Sequence, residues 1–342
     1  MSLSRHPRFP LLKLPWLCIK CVLHNSDELV SICLATISNR TRRIVKSSNY
    51  PLKEIIVYPS RYKHIIIGDT LEDTKNTKIW HFTRDVKFVL QRDSLPFRTS
   101  RCFISWRGHH LQSYTSGDTL DALKIGITFL IDVFGCTIRK VFADGKKLSE
   151  LFGLGISSVK ELFISDSKPV KIADLKNLLK NVKVTDSYVF HAPIPSNFSC
   201  DPKIFNCQGL FFSVNHSADW ITLEVICQLD VSQLSFPYHR FSVKDVVSYI
   251  NYWFNSENRK MEYLFVDFQT SISQEHFKID HLNPMQFCEK RRNRCPFVKV
   301  WKDTDMSRGR DILRQDGLLA TLHAFSTSVI FYVWHKRFPD TV

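Results

Sequence analysis

The chain is 342 residues long and has no continuous apolar run of the length a membrane span needs. "LLATLHAFSTSVIFYVW" (Leu318 to Trp334) carries no formal charge but is short for a span. It also holds Thr321, His323, Ser326, Thr327 and Ser328, and it reads better as two strands around an "STS" turn. The apolar opening "FPLLKLPWLCIKCVL" is broken by Lys13 and Lys20, and no small-residue cleavage site follows. A secretory leader is therefore not expected, and the reading is a cytoplasmic or nuclear protein, not a secreted or membrane one.

Catalytic and cofactor signatures are missing too. Gly153-Leu154-Gly155 has no dinucleotide-binding frame, and no phosphate-binding G-x-x-x-x-G-K-[ST] loop occurs. "SSVK" (Ser157 to Lys160) lacks the companion motifs of a serine–lysine enzyme. His109 and His110 are adjacent, and no HExxH is present. Cys18 and Cys21 have metal-knuckle spacing but no second pair to complete a zinc site. Cys200 with Cys207, and Cys288 with Cys295, stand seven apart and read as reduced thiols. No catalytic residue, metal or cofactor is predicted.

Charge is plentiful. Lys and Arg number 47 against 33 Asp and Glu, giving a net charge of +14 and a pI near 9.3. The excess is densest at Arg40, Arg42, Arg43 and Lys46, and in "EKRRNRC" (Glu289 to Cys295). Such clusters serve as solvated loops, import signals or nucleic-acid contacts. No zinc finger, RNA-recognition signature or reading helix accompanies them.

Residues 9–50 read as short helices. Leu14, Leu17, Cys18, Val22 and Leu23 have helical spacing after Pro15, and "NSDE" (Asn25 to Glu28) is a start signal for a second helix to Ile37. "KEIIVYP", "KHIIIGD" and "DVKFVLQ" then read as strands, and "DTLDALKIGITFLIDVFG" as a helix stopped by Gly135. From Cys136 strand-like cores around Leu162, Val189, Leu210, Leu234 and Leu264 alternate with helix-like stretches. Units of this kind bury their apolar sides by stacking, as in a leucine-rich-repeat-like solenoid. Beyond Pro296, "VKVW", "LLATLHAF" and "VIFYVW" read as a strand-rich cap with a turn at "RQDG".

The opening, with Phe9-Pro10-Leu11-Leu12, Leu14-Pro15, apolar Cys18, Ile19, Val22 and Leu23, a second helix from Glu28 and then "RTRRIVKS", resembles the F-box of nematode F-box proteins. Trp220 to Phe268 resembles the type-2 F-box-associated domain of the same proteins. Cys18 and Cys21 depart from it, standing where aliphatic and polar residues are common. The resemblance implies an α/β chain: an all-helical F-box at 1–50, a strand-rich and helical connecting region at 51–135, a leucine-rich-repeat-like F-box-associated domain at 136–285 (best match about 205–270) and a strand-rich C-terminal cap at 286–342. It implies a non-catalytic substrate adaptor of an SCF-type cullin–RING ubiquitin ligase. Leu14, Pro15, Cys18, Ile19, Val22, Leu23 and Leu29 would dock a Skp-type adaptor.

Strand alternation supplies candidates for contact with an unidentified protein substrate. With Leu210, Phe212 and Val214 inward, Phe211, Ser213 and Asn215 face out. With Leu264, Val266 and Phe268 inward, Tyr263, Phe265 and Asp267 face out. Two rival readings are an interaction protein whose F-box no longer docks and a basic nucleic-acid-binding protein.

Overall fold

The computed structural model of the chain describes residues 11–60, 62–68, 77–84, 95–96, 102–107, 110–213, 218–237, 240–288, 306 and 308–335. It divides into two compact units, Met1–Phe142 with Glu150–Ile156, and Ala143–Ser149 with Ser157–Val342.

The first unit opens with α1 (Trp16–His24), α2 (Glu28–Ile37) and α3 (Asn39–Ser47). Each start has a local cause. Pro15 (φ −55°) sits before the first turn of α1. The Asp27 carboxylate accepts the Leu29 backbone N–H at 2.7 Å and caps α2. Ser38 and Thr41 form a reciprocal capping box that starts α3 over the basic "NRTRRIVKS". Ile19, Leu23, Leu29, Ile32, Ala35 and Val45 are buried. Lys78 pairs with both Asp27 and Glu28, and the Tyr50 hydroxyl donates to the Ser26 carbonyl at 2.9 Å.

The strands of this unit are β1 (Glu54–Tyr58), β2 (His64–Ile67), β3 (Lys78–Thr83), β4 (Leu95–Pro96), β5 (Cys102–Arg107), β6 (His110–Thr115) and β7 (Thr137–Asp144). They lie in the order β7-β1-β2-β3-β6-β5-β4. Helix α4 (Thr119–Phe134) covers one face, capped by Asp118 and ended by Gly135 at φ 67°. Gly126 lets α4 approach closely, since a Cβ there would lie 2.5 Å from the Phe82 ring. Strands β3, β5 and β6 were not read from the sequence, while "DVKFVLQ" lies outside the described residues.

After α5 (Leu148–Gly153), the second unit runs β8 (Ser158–Ser165), α6 (Ile172–Asn181), β9 (Lys183–His191), β10 (Gly209–Phe212), α7 (Leu223–Gln228), β11 (Gln233–Phe236), α8 (Val243–Asn255) and β12 (Tyr263–Asp267). Strands β8 to β12 are parallel and adjacent in chain order. The β9–β10 connection holds only a single 3-10 turn at Pro202–Ile204. The sheet continues antiparallel through β13 (Met285–Gln286), β14 (Arg310–Leu313), β15 (Leu319–Ala324) and β16 (Ser328–Trp334), with β16 against β12. The hairpin expected around "STS" is β15–β16, whereas "VKVW" lies outside the described residues.

Leu210, Phe212, Leu234, Phe236, Leu264 and Val266 are buried on the helix side of this sheet. Phe212 stacks on Phe190 at 5.2 Å and on Phe236 at 5.3 Å. Phe331, opposite Leu264, meets Trp253 of α8 edge to face at 5.0 Å.

Candidate interaction surfaces

Helix α1 is apolar on both sides, and its two sides do different things. Ile19 and Leu23 are buried inside the helical module, as is Leu29 of α2. Those three residues, expected from the sequence to meet an adaptor, pack the module itself and do not face solvent. The opposite stripe does. Leu14 is half-buried, and Leu17, Cys18, Cys21 and Val22 are exposed, at the three- and four-residue spacing of one helix face. Pro15 and Trp16 are exposed beside it, and Leu17 is 72% exposed. Ile37 adds an exposed apolar side chain at the end of α2. Trp16, Leu17, Cys21 and Ile37 were not singled out for docking from the sequence, although the spacing of Leu17 and Cys21 from Leu14 already put them on its face.

The second surface is the helix-free face of the second unit's sheet. Phe163, Val189, Phe211, Ser235, Phe265 and Ile330 stand directly opposite one another across six strands. Beside this row Tyr263 is paired with Tyr332, and Tyr332 lies 4.6 Å from Trp334. Phe211, Phe265, Met306, Phe325 and Trp334 pack on the buried Tyr263, Ile330 and Tyr332. Gly209 shapes the patch, because the Phe211 ring lies over it and a Cβ there would be 2.6 Å from ring carbon Cε2. A polar chain fixes the far side. The Trp334 indole N–H donates to Thr321 Oγ1 at 2.9 Å, and Thr321 Oγ1 donates to the buried Asp311 at 2.9 Å. Of the expected substrate-facing residues, Phe211, Phe265 and Asp267 are half-buried and Asn215 lies outside the described residues. Ser213 and Tyr263 are buried, Tyr263 because β16 lays Tyr332 alongside it.

A ladder of rings crosses the helix-free face of the first unit. Phe142 stacks on Tyr58 at 4.4 Å and Tyr58 on His64 at 4.3 Å, and His81 follows at 5.5 Å from both His64 and His110. Burial lowers the pKa of His64 and pulls that of His81 down to about 4, aided by the neighbouring His64 and His110. Tyr58 is stacked on both sides, by Phe142 and by His64, so neither of its faces is open to a planar ligand. Among the described residues no group of three or more His, Cys, Asp or Glu is placed to hold a metal ion, and no helix is long and apolar enough to cross a membrane.

Residues 202–266, from the 3-10 turn before β10 to β12, match the family model described as F-box associated. This segment is therefore similar to F-box associated domains. It contains Phe211, Tyr263 and Phe265 of the aromatic patch. Uncharacterized protein F59B2.8 of Caenorhabditis elegans is 29% identical over 133 residues, 36% of this chain and 30% of the relative. Uncharacterized protein F59B2.9 of the same nematode is 26% identical over 132 residues, again 36% of this chain and 30% of the relative. The match thus spans under a third of each relative's length. No solved structure matches.

Proposed function

We propose that this protein is a substrate-recruiting subunit of an SCF-type ubiquitin ligase. In this reading the α1–α3 module is an F-box, and the 136–285 region is a leucine-rich-repeat-like recruiting domain capped by the C-terminal strands. F-box associated domains occur in F-box proteins, which in general recognise substrates for such ligases. The observation that carries the reading is a segment similar to F-box associated domains downstream of a helical module with an unburied apolar helix face. Leu14, Pro15, Cys18 and Val22, joined by Leu17, would enter an apolar groove of a Skp-type adaptor. The aromatic patch around Phe211, Phe265 and Trp334 would anchor a protein substrate, since half-buried aromatics on a rigid sheet make efficient interface anchors. The chain then supplies proximity and orientation to the ubiquitin-charged enzyme rather than a reactive side chain.

The test is capture of the full chain on a purified Skp-type adaptor. Leu14→Ala with Pro15→Ala, or Leu17→Glu alone, abolishes capture while far-ultraviolet circular dichroism and the thermal midpoint stay near wild type. Unchanged capture in both variants overturns the assignment of this face.

A further inference from the structure

The solvent-facing stripe of α1 contains two thiols that docking alone does not explain. Cys18 and Cys21 are exposed and unbonded, three residues apart on one face, with Leu14, Leu17 and Val22 around them. Cys33, Cys136, Cys200, Cys207, Cys227 and Cys288 are buried or half-buried. Burial pushes Cys33 and Cys200 up to about 11 and Cys136 and Cys207 up to about 12, and it raises Cys227, which suppresses their thiolates. Exposure therefore separates this pair from those thiols. Lys20 stands between the two cysteines in sequence, Lys13 precedes Cys18 by five residues, and the whole chain carries +14. An anionic reagent is drawn to such a site.

We propose that Cys18 and Cys21 are a thiol-exchange site for a low-molecular-weight anionic disulfide of the glutathione disulfide class, and that the mixed disulfide switches off docking by α1. The docking half rests on the adaptor reading above, whereas the exchange half does not. In the exchange the cysteine loses its proton and its thiolate attacks one sulfur of the disulfide. A new S–S bond forms to the protein, the old one breaks, and the departing glutathione thiolate takes up a proton. The cysteine sulfur is oxidised, one half of the small disulfide is reduced, and no other oxidant is needed. The adduct persists as a mixed disulfide. Closing Cys18 onto Cys21 would need Cβ atoms about 3.5–4.5 Å apart, while helix neighbours at this spacing sit about 5–6 Å apart. Each adduct sets a charged tripeptide in the middle of an apolar stripe, where a partner would have to bury it unpaired. Reduction by a thiol reverses the change.

The experiment uses the purified, reduced full chain incubated with glutathione disulfide. Peptide mass mapping locates the adducts, and capture on a Skp-type adaptor is measured before oxidation, after it and after dithiothreitol. The expected result is glutathionyl mass on the peptide containing Cys18 and Cys21 ahead of the other thiols, at least about a tenfold loss of capture, and recovery on reduction. In the C18S/C21S variant, the ratio of capture with and without glutathione disulfide stays at one. No adduct on Cys18 or Cys21 overturns the exchange site, and adducts that leave capture unchanged overturn the switch. If the reduced wild-type chain is not captured, the adaptor reading and the switch fail together, while mass mapping still decides the exchange site.

Discussion

The Arg314 guanidinium lies over the Trp253 ring, its carbon 4.8 Å from the ring centroid, and also donates to the Trp253 carbonyl at 3.0 Å. Arg314 is 4% exposed, donates to the Asn258 carbonyl at 2.8 Å and grips Asp316 with two nitrogens at 2.9 and 2.8 Å. One side chain thus ties the β14–β15 turn to the end of α8, where "RQDG" places its bend through Gly317 at φ 85°. Arg314→Leu leaves two carbonyls and a carboxylate without their donor and should cost about 3–5 kcal/mol. Urea unfolding checks it. Arg314→Lys keeps the charge but not the fork, so it recovers only part of the loss. The Arg314 hydrogen bonds hold the Asp316 carboxyl well below the usual carboxylate range. The stability from this contact is therefore present above the ordinary Asp pKa of about 3.9 and is lost as pH falls below it.

Gly209 and Phe211 make a second prediction. Because the ring occupies the space a Cβ would take, Gly209→Ala displaces Phe211 and costs about 1–3 kcal/mol. In a Phe211→Ala background the same substitution should cost far less, and a double-mutant cycle on denaturation midpoints reads the difference. Equal costs in both backgrounds would contradict the packing described. The displaced ring also tests the recruiting face, since Gly209→Ala and Phe265→Ala should both weaken substrate capture without loss of adaptor capture.

The imidazole ladder makes the first unit sensitive to acid. His81 has its pKa near 4 when folded and about 6.5 when unfolded. As pH falls below about 6.5 the unfolded chain takes up this proton first, so stability drains away until about pH 4 and the contribution is flat below that. The partly exposed ring limits the effect to about 1–2 kcal/mol. His81→Gln should flatten the fall in unfolding free energy between pH 7 and pH 5, and an unchanged slope would contradict this account.

Local signals made much of the architecture legible. Asp118 and Gly135 bracket α4, and alternation in "GLFF" and "YLFVD" separates the helix side of β10 and β12 from the open side. The limits are physical. Helix α1 is apolar nearly all round, so periodicity reveals two stripes but not which one the module consumes, and Ile19 and Leu23 were assigned outward for that reason. Tyr263 is buried by Tyr332 of β16, a pairing with no trace in either strand's own pattern. Strands β3, β5 and β6 carry polar and aromatic residues such as His81, Gln112 and Trp106 that blur the usual β-branched signal. Cys18 and Cys21 were legible as a pair, but their exposure required the fold.

The measurement that bears most directly on the central claim is co-purification of the full chain with a Skp-type adaptor at low and at high salt. Apolar docking through α1 predicts a complex that survives high salt and disappears when residues 1–50 are removed. Phosphate contacts by a basic protein weaken steeply as salt rises. No complex with the adaptor at either salt, together with salt-sensitive nucleic-acid binding, would contradict the account.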